Sequence, residues 1–181
     1  TGHPVKLGKI TLNFLPTLGL KVADVELQAL SKGIKNATAE SIVIAAKLED
    51  FLDREFSSSD ISSIRINKLD LICINQKIDS KPEIKLSNAF AIIKTSKSSD
   101  ELDIEIKGSL LSTSNKENLS ITGTALPPKG DIDASKLDLD FSLSPLSLAK
   151  LTSLLKSYNI DLGDLSLSEN LTINGQLEAL G

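Results

Sequence analysis

Apolar and polar residues alternate with period two along most of this chain, in runs separated by turn residues, and that pattern restricts the fold to strands with one buried face. Val5 and Leu7 share a face, Gly8 breaks the phase, and Ile10, Leu12 and Phe14 resume it. A single inserted residue of this kind reads as a β-bulge. Pro16 and Gly19 punctuate a turn. Leu18, Leu20 and Val22 then alternate, and Val25 and Leu27 resume after a second slip at Ala23-Asp24. These two runs predict an antiparallel hairpin.

The same reading carries on down the chain. A strand is expected over 37–46, and one or two helical turns around Leu48, Phe51 and Leu52. Residues 61–73 read as a strand pair or one bent strand, and 84–93 as another strand. Leu102, Ile104, Ile106 and Leu110 form a second hairpin with Leu119, Ile121 and Gly123. Pro127-Pro128-Lys129-Gly130-Asp131 is a strong turn and the one plausible internal boundary, but composition does not change across it, so 1–181 reads as one domain. Leu137 to Leu143 is a strand. Ser144-Pro145 resembles a helix N-cap with proline at the first helical position, and Leu148, Leu151, Leu154, Leu155 and Tyr158 recur at helical spacing, with Asn159 and Gly163 closing the helix. Period two returns at Leu165 to Leu167 and from Leu171 to Leu177. A pattern of two polar residues, then apolar, charged, apolar, recurs at 23–27, 67–71 and 135–139, although any half-buried strand can show it.

The apolar surface comes from Leu, Ile, Val and Ala, because only 3% of residues are aromatic and Met and Trp are absent. The formal net charge of -4 argues against a nucleic-acid partner, which calls for clustered Lys and Arg. The lone Cys73, in an apolar run, is expected to be a buried small hydrophobe. No apolar stretch approaches the roughly 20 residues needed to span a bilayer. The chain opens on Thr1 rather than Met and stops mid-pattern at Gly181, which reads as a fragment of a longer protein whose N-terminal segment, a membrane anchor among the candidates, is absent.

Catalytic and metal constellations are missing from the pattern. His3 is the single histidine, so neither a Ser-His-Asp triad nor a His-rich metal site can be assembled. Glu49, Asp50, Asp53 and Glu55 read as the polar side of an amphipathic turn. Asp131, Asp133, Asp138 and Asp140 lack the central glycine and terminal glutamate of a calcium loop. No phosphate-cradling glycine loop occurs. Asn36, Asn118 and Asn170 each begin a glycosylation sequon, a pattern short enough to arise by chance. The expectation is a protein that is not an enzyme and takes no cofactor or metal.

The opening residues carry a resemblance. Thr1-Gly2-His3-Pro4-Val5, Gly8-Lys9-Ile10-Thr11-Leu12, Leu15-Pro16-Thr17-Leu18-Gly19-Leu20-Lys21-Val22 and Asp24-Val25-Glu26-Leu27 together resemble the region just after the membrane anchor in AsmA-family proteins, with His3 where that family usually has Arg. Ala39 to Leu52, Ile61 to Ile74 and the tail from Leu137 to Leu177 are similar to the family's strands and short helices, while 76–131 match only in being stranded. The resemblance implies a mainly β (α+β) fold: a curved antiparallel sheet, gutter-like or half-barrel, with one or two short helices covering an end or face. It further implies a periplasmic module anchored to the inner membrane by an N-terminal helix and engaged in phospholipid transport or outer-membrane homeostasis, as larger relatives similar to chorein-type bridge proteins are. The expected ligand is a phospholipid or another acyl chain, with envelope proteins as possible partners. Val5, Leu7, Ile10, Leu12, Leu18, Leu20, Val22, Val25 and Leu27 are the candidate groove wall. The rival expectation is a structural or assembly scaffold that affects outer-membrane protein biogenesis through its surface, without lipid.

Overall fold

Alternation, bulges and short turns resolve into ten strands and a helix in the computed structural model, which describes residues 4–13, 18–31, 33–46, 61–74, 83–96, 101–111, 116–126, 136–158, 160 and 170–180. The strands are β1 (Val5–Lys6), β2 (Ile10–Asn13), β3 (Leu18–Ser31), β4 (Ile34–Ala46), β5 (Ile61–Ile74), β6 (Glu83–Thr95), β7 (Leu102–Leu110), β8 (Leu119–Leu126), β9 (Lys136–Ser147) and β10 (Asn170–Leu180). The helix α1 (Leu148–Ser157) stands between β9 and β10. All strands join one antiparallel sheet in the order β1-β3-β4-β5-β6-β7-β8-β9-β10, with β2 beside β1 on the outer side of β3. Neither β1 nor β2 pairs with β10, so the sheet stays open and does not close into a barrel.

Both predicted hairpins are present, β1 and β2 against β3, and β7 against β8. Residues 61–74 form one long strand rather than two. The strong turn at 127–131 lies outside the described residues, as do the predicted turns around Leu48 to Leu52, the acidic groups at 49–55 and 131–133, and Leu165 to Leu167. The strands that flank 127–135, β8 and β9, are direct neighbours, so the sheet continues across it.

The slips read at Gly8 and Ala23-Asp24 belong to a longer feature. Asp24, Lys68 and Asn88 all have positive φ inside strands, at 48°, 47° and 50°. Each is one extra residue that keeps its apolar neighbours in phase, so Val22 and Val25, Ile66 and Leu69, and Leu86 and Ala89 share a face although they are three apart. In β4, Glu40 is the matching extra residue between Ala39 and Ile42. The extra residues lie side by side and form a crease across the sheet. A glycine bounds it at either end, where a side chain would collide with the crease: a Cβ on Gly8 would lie 2.9 Å from the Ala23 carbonyl oxygen, and one on Gly108 would lie 2.8 Å from the Ala89 Cβ. The polar side of the crease is stitched by Asn67 Nδ2 donating to Ser41 Oγ at 3.0 Å, by the Lys68–Glu40 ion pair, and by the Asn88 N–H donating to Asp70 Oδ1 at 2.8 Å. The first two members of the repeated sequence pattern are therefore structurally equivalent, because Asp24 and Lys68 occupy the same place in neighbouring bulges.

The helix forms where its leucines predict, but its start differs. Pro145 lies in β9, after a cis Ser144-Pro145 bond, and Ser147 is the N-cap, its Oγ accepting from the Lys150 N–H at 3.4 Å. The strand persists because Leu146 and Ser147 still pair with Leu171 and Asn170, and the proline occupies the extra position opposite the 171–173 step, where no ladder donor is required. Leu146 is fully buried beside Leu119 and Leu143, with Leu110, Leu151 and Leu171 packed around them, so α1 covers this end of the sheet. Asn118 ties the same end together. Its side chain accepts from the Leu110 N–H and donates to the Leu110 and Pro145 carbonyl oxygens, all within 2.9 Å.

Candidate functional site

Directly opposed residues of an antiparallel sheet point to the same face, so the register assigns every side chain to one of two surfaces. One row runs Ile10, Val22, Ile42, Ile66, Ala91, Ile106, Ile121, Phe141, Gly175. The next row on that face runs Leu12, Leu20, Ile44, Ile64, Ile93, Ile104, Gly123, Leu139, Leu177. Neither row contains a polar residue over nine strand positions, which at ~4.8 Å per strand is roughly 40 Å. The row between them, on the reverse face, runs Thr11, Lys21, Val43, Arg65, Ile92, Glu105, Thr122, Asp140, Gln176 and is polar except at two places.

The candidate wall residues lie on the apolar face. Val5 opposes Leu27, Ile10 opposes Val22, Leu12 opposes Leu20, and Leu18 and Val25 oppose Ala46 and Ala39. Leu7 continues the phase of Val5. Leu18, Val22 and Val25 are buried, and Leu20 and Leu27 are half-buried against them. Val5, Leu7, Ile10 and Leu12, on the edge, are 50–55% exposed. Those nine residues cover only the first margin of the surface. Ile64, Ile66, Ile93, Ile104, Ile106 and Ile121 form its middle and are half-buried, although α1 is the only described helix. Alternation marked each of them as apolar in its own strand, but only the register shows that they line up. Cys73 opposes Ile34 and Ile84 on this face and is half-buried rather than buried, because it lies near the end of β5 where fewer neighbours reach it.

The charges lie on the reverse face and at the sheet rim. Hydrogen bonds from Gln28 and Lys6, and the Lys6 charge, hold the Glu26 carboxyl below the ordinary glutamate value. Lys68 does the same for Glu40, and Lys107 for Glu105, while Glu105 pushes the Lys107 ammonium up. Carboxylates lowered in the folded state stabilise it above their unfolded values and lose that contribution as they take up protons. The urea midpoint is therefore expected to fall as the pH drops from 4.5 through the lower folded values, and Glu40→Gln is expected to reduce that fall. The effect is small, because exposed pairs are screened.

Among the described residues no group of His, Cys, Asp and Glu is arranged to hold a metal ion, and no helix is long and apolar enough to cross a membrane. Asp138 and Asp140 stand on the polar face of β9, one residue apart along the strand. Asn118 is buried with both side-chain donors engaged, which excludes its sequon from glycosylation in the folded protein. No family model matches this chain, and neither does any curated protein or solved structure.

Proposed function

We propose that this chain is a lipid-binding module whose apolar face shields acyl chains, acting in phospholipid transport or outer-membrane homeostasis. In this reading it is an AsmA-like domain of the bacterial periplasm, held to the inner membrane by a helix that precedes it in the full-length protein. The observation that carries the reading is the pair of wholly apolar rows crossing nine strands of an open sheet. A layered domain covers such a face with a second sheet or with several helices, and large exposed apolar patches on soluble proteins mark binding surfaces. The dimension also suits the ligand. Half of a ~30 Å hydrocarbon core is the depth of one leaflet, so a floor of roughly 40 Å takes more than one acyl chain end to end. Each methylene leaving water gains about 0.8 kcal/mol. No charged side chain stands in either row to select a head group, which fits a site that grips tails.

Native mass spectrometry with lipid extraction, on protein purified from a bacterial host without detergent, tests this. Co-purified phospholipid is expected. Ile104→Glu, which sets a carboxylate in the middle of the floor, is expected to reduce lipid retention about tenfold, a difference of ~1.4 kcal/mol. Thr122→Glu, on the reverse face of the neighbouring strand, is expected to leave it unchanged. An apo mass with no uptake of fluorescent phospholipid would overturn the reading in favour of a scaffold acting through its surface.

A further inference from the structure

We propose that β10 is a homodimerisation edge: two copies of this chain pair antiparallel through β10, about a two-fold axis at Gly175, and so join their apolar faces. Among the described residues no strand pairs with the outer side of β10. Natural sheets blunt such edges with short strands, lysines, prolines or bulges. The opposite edge is blunted in this way, since β1 and β2 have two and four residues, are parted by the Gly8 bulge and are flanked or occupied by Lys6 and Lys9. The β10 strand is not. It runs for 11 residues without Lys, Arg or Pro, and Leu177 is 52% exposed on its apolar side.

The strand is also complementary to itself. Full overlap with an antiparallel copy places Gly175 on the axis. Leu177 of one copy then opposes Ile173 of the other, Gln176 opposes Asn174, and the lone charge, Glu178, opposes Thr172. No like charges meet, and directly opposed residues share a face, so apolar stays with apolar. At the axis a Cβ on Gly175 would overlap the Phe141 ring. The ring fills that space, and the floor reaches the edge where the strand itself has no side chain. An isologous contact of this kind closes as a dimer and does not propagate. The proposal needs only the edge and stands whether or not the face takes lipid.

Sedimentation equilibrium of the 181-residue chain over a wide concentration range is expected to give a reversible dimer. Leu177→Lys is expected to sediment as a monomer with an unchanged circular dichroism spectrum. In a Cys73→Ser background, mixing Asn174→Cys protein with Gln176→Cys protein is expected to give the mixed disulfide ahead of either symmetric one, because only the unlike pair is directly opposed. A monomer at every concentration, a dimer that survives Leu177→Lys, or symmetric disulfides as the main product would each overturn the proposal. Open polymers would overturn it as well, since they require the β1–β2 edge.

Discussion

Gly123→Ala is expected to destabilise the fold by about 3 kcal/mol, at the upper end of overpacking costs. The reason is backbone against backbone. A Cβ on Gly123 would fall on the carbonyl oxygen of Asp138 and 2.8 Å from Leu139 Cα, so β8 and β9 have to separate to admit it. No rotamer change relieves that contact. Gly33→Ala is the matched control, because a Cβ there meets nothing within 4 Å. Urea titration of both variants checks the pair. Equal midpoints would show that the β8–β9 spacing yields freely and that the second apolar row does not depend on a glycine.

Asn118→Ala is expected to cost a similar amount, about 3 kcal/mol, because it leaves the Leu110 N–H and the Leu110 and Pro145 carbonyl oxygens without the partner they have now. Asn118→Asp is the sharper variant. It keeps the acceptor for the Leu110 N–H but replaces two donors with a carboxylate facing two carbonyl oxygens, so it is expected to be no better than alanine. A stable Asp variant would show that the amide donors contribute little. Hydrogen exchange at Leu110 locates the effect, since that amide is the one Asn118 protects.

Period two made the strands legible in the sequence because each buries one face, and that was enough for the fold class and for both predicted hairpins. The phase slips at Gly8 and Asp24 were legible because strong aliphatic residues flank them. The equivalent slips at Glu40 and Asn88 were not, since Val43 and Ala45 in β4, and Phe90 and Ile92 in β6, place apolar residues on the polar face and blur the phase. The helix start was misplaced for a local reason: Ser144-Pro145 and Ser147 offer the same capping chemistry, and strand pairing with β10 decides between them. The candidate wall was legible as apolar but not as the margin of a larger surface. That surface exists only through the order of neighbouring strands, which no single run encodes.

The crease has a bearing on how this chain can change over time. Its extra residues are held in common by neighbouring strands, so none can be dropped alone. Deleting Asp24 would turn either Leu18 to Val22 or Val25 and Leu27 over to the charged surface, and would put β3 out of step with β4 on one side of the missing residue. Deleting Lys68 would do the same to β5 against both of its neighbours. A substitution at these positions is a local event, whereas a one-codon deletion has to be answered in several strands at once. Length variation among descendants of this sequence is thus confined to the connections between strands, and the span of each strand across the crease is inherited as a block.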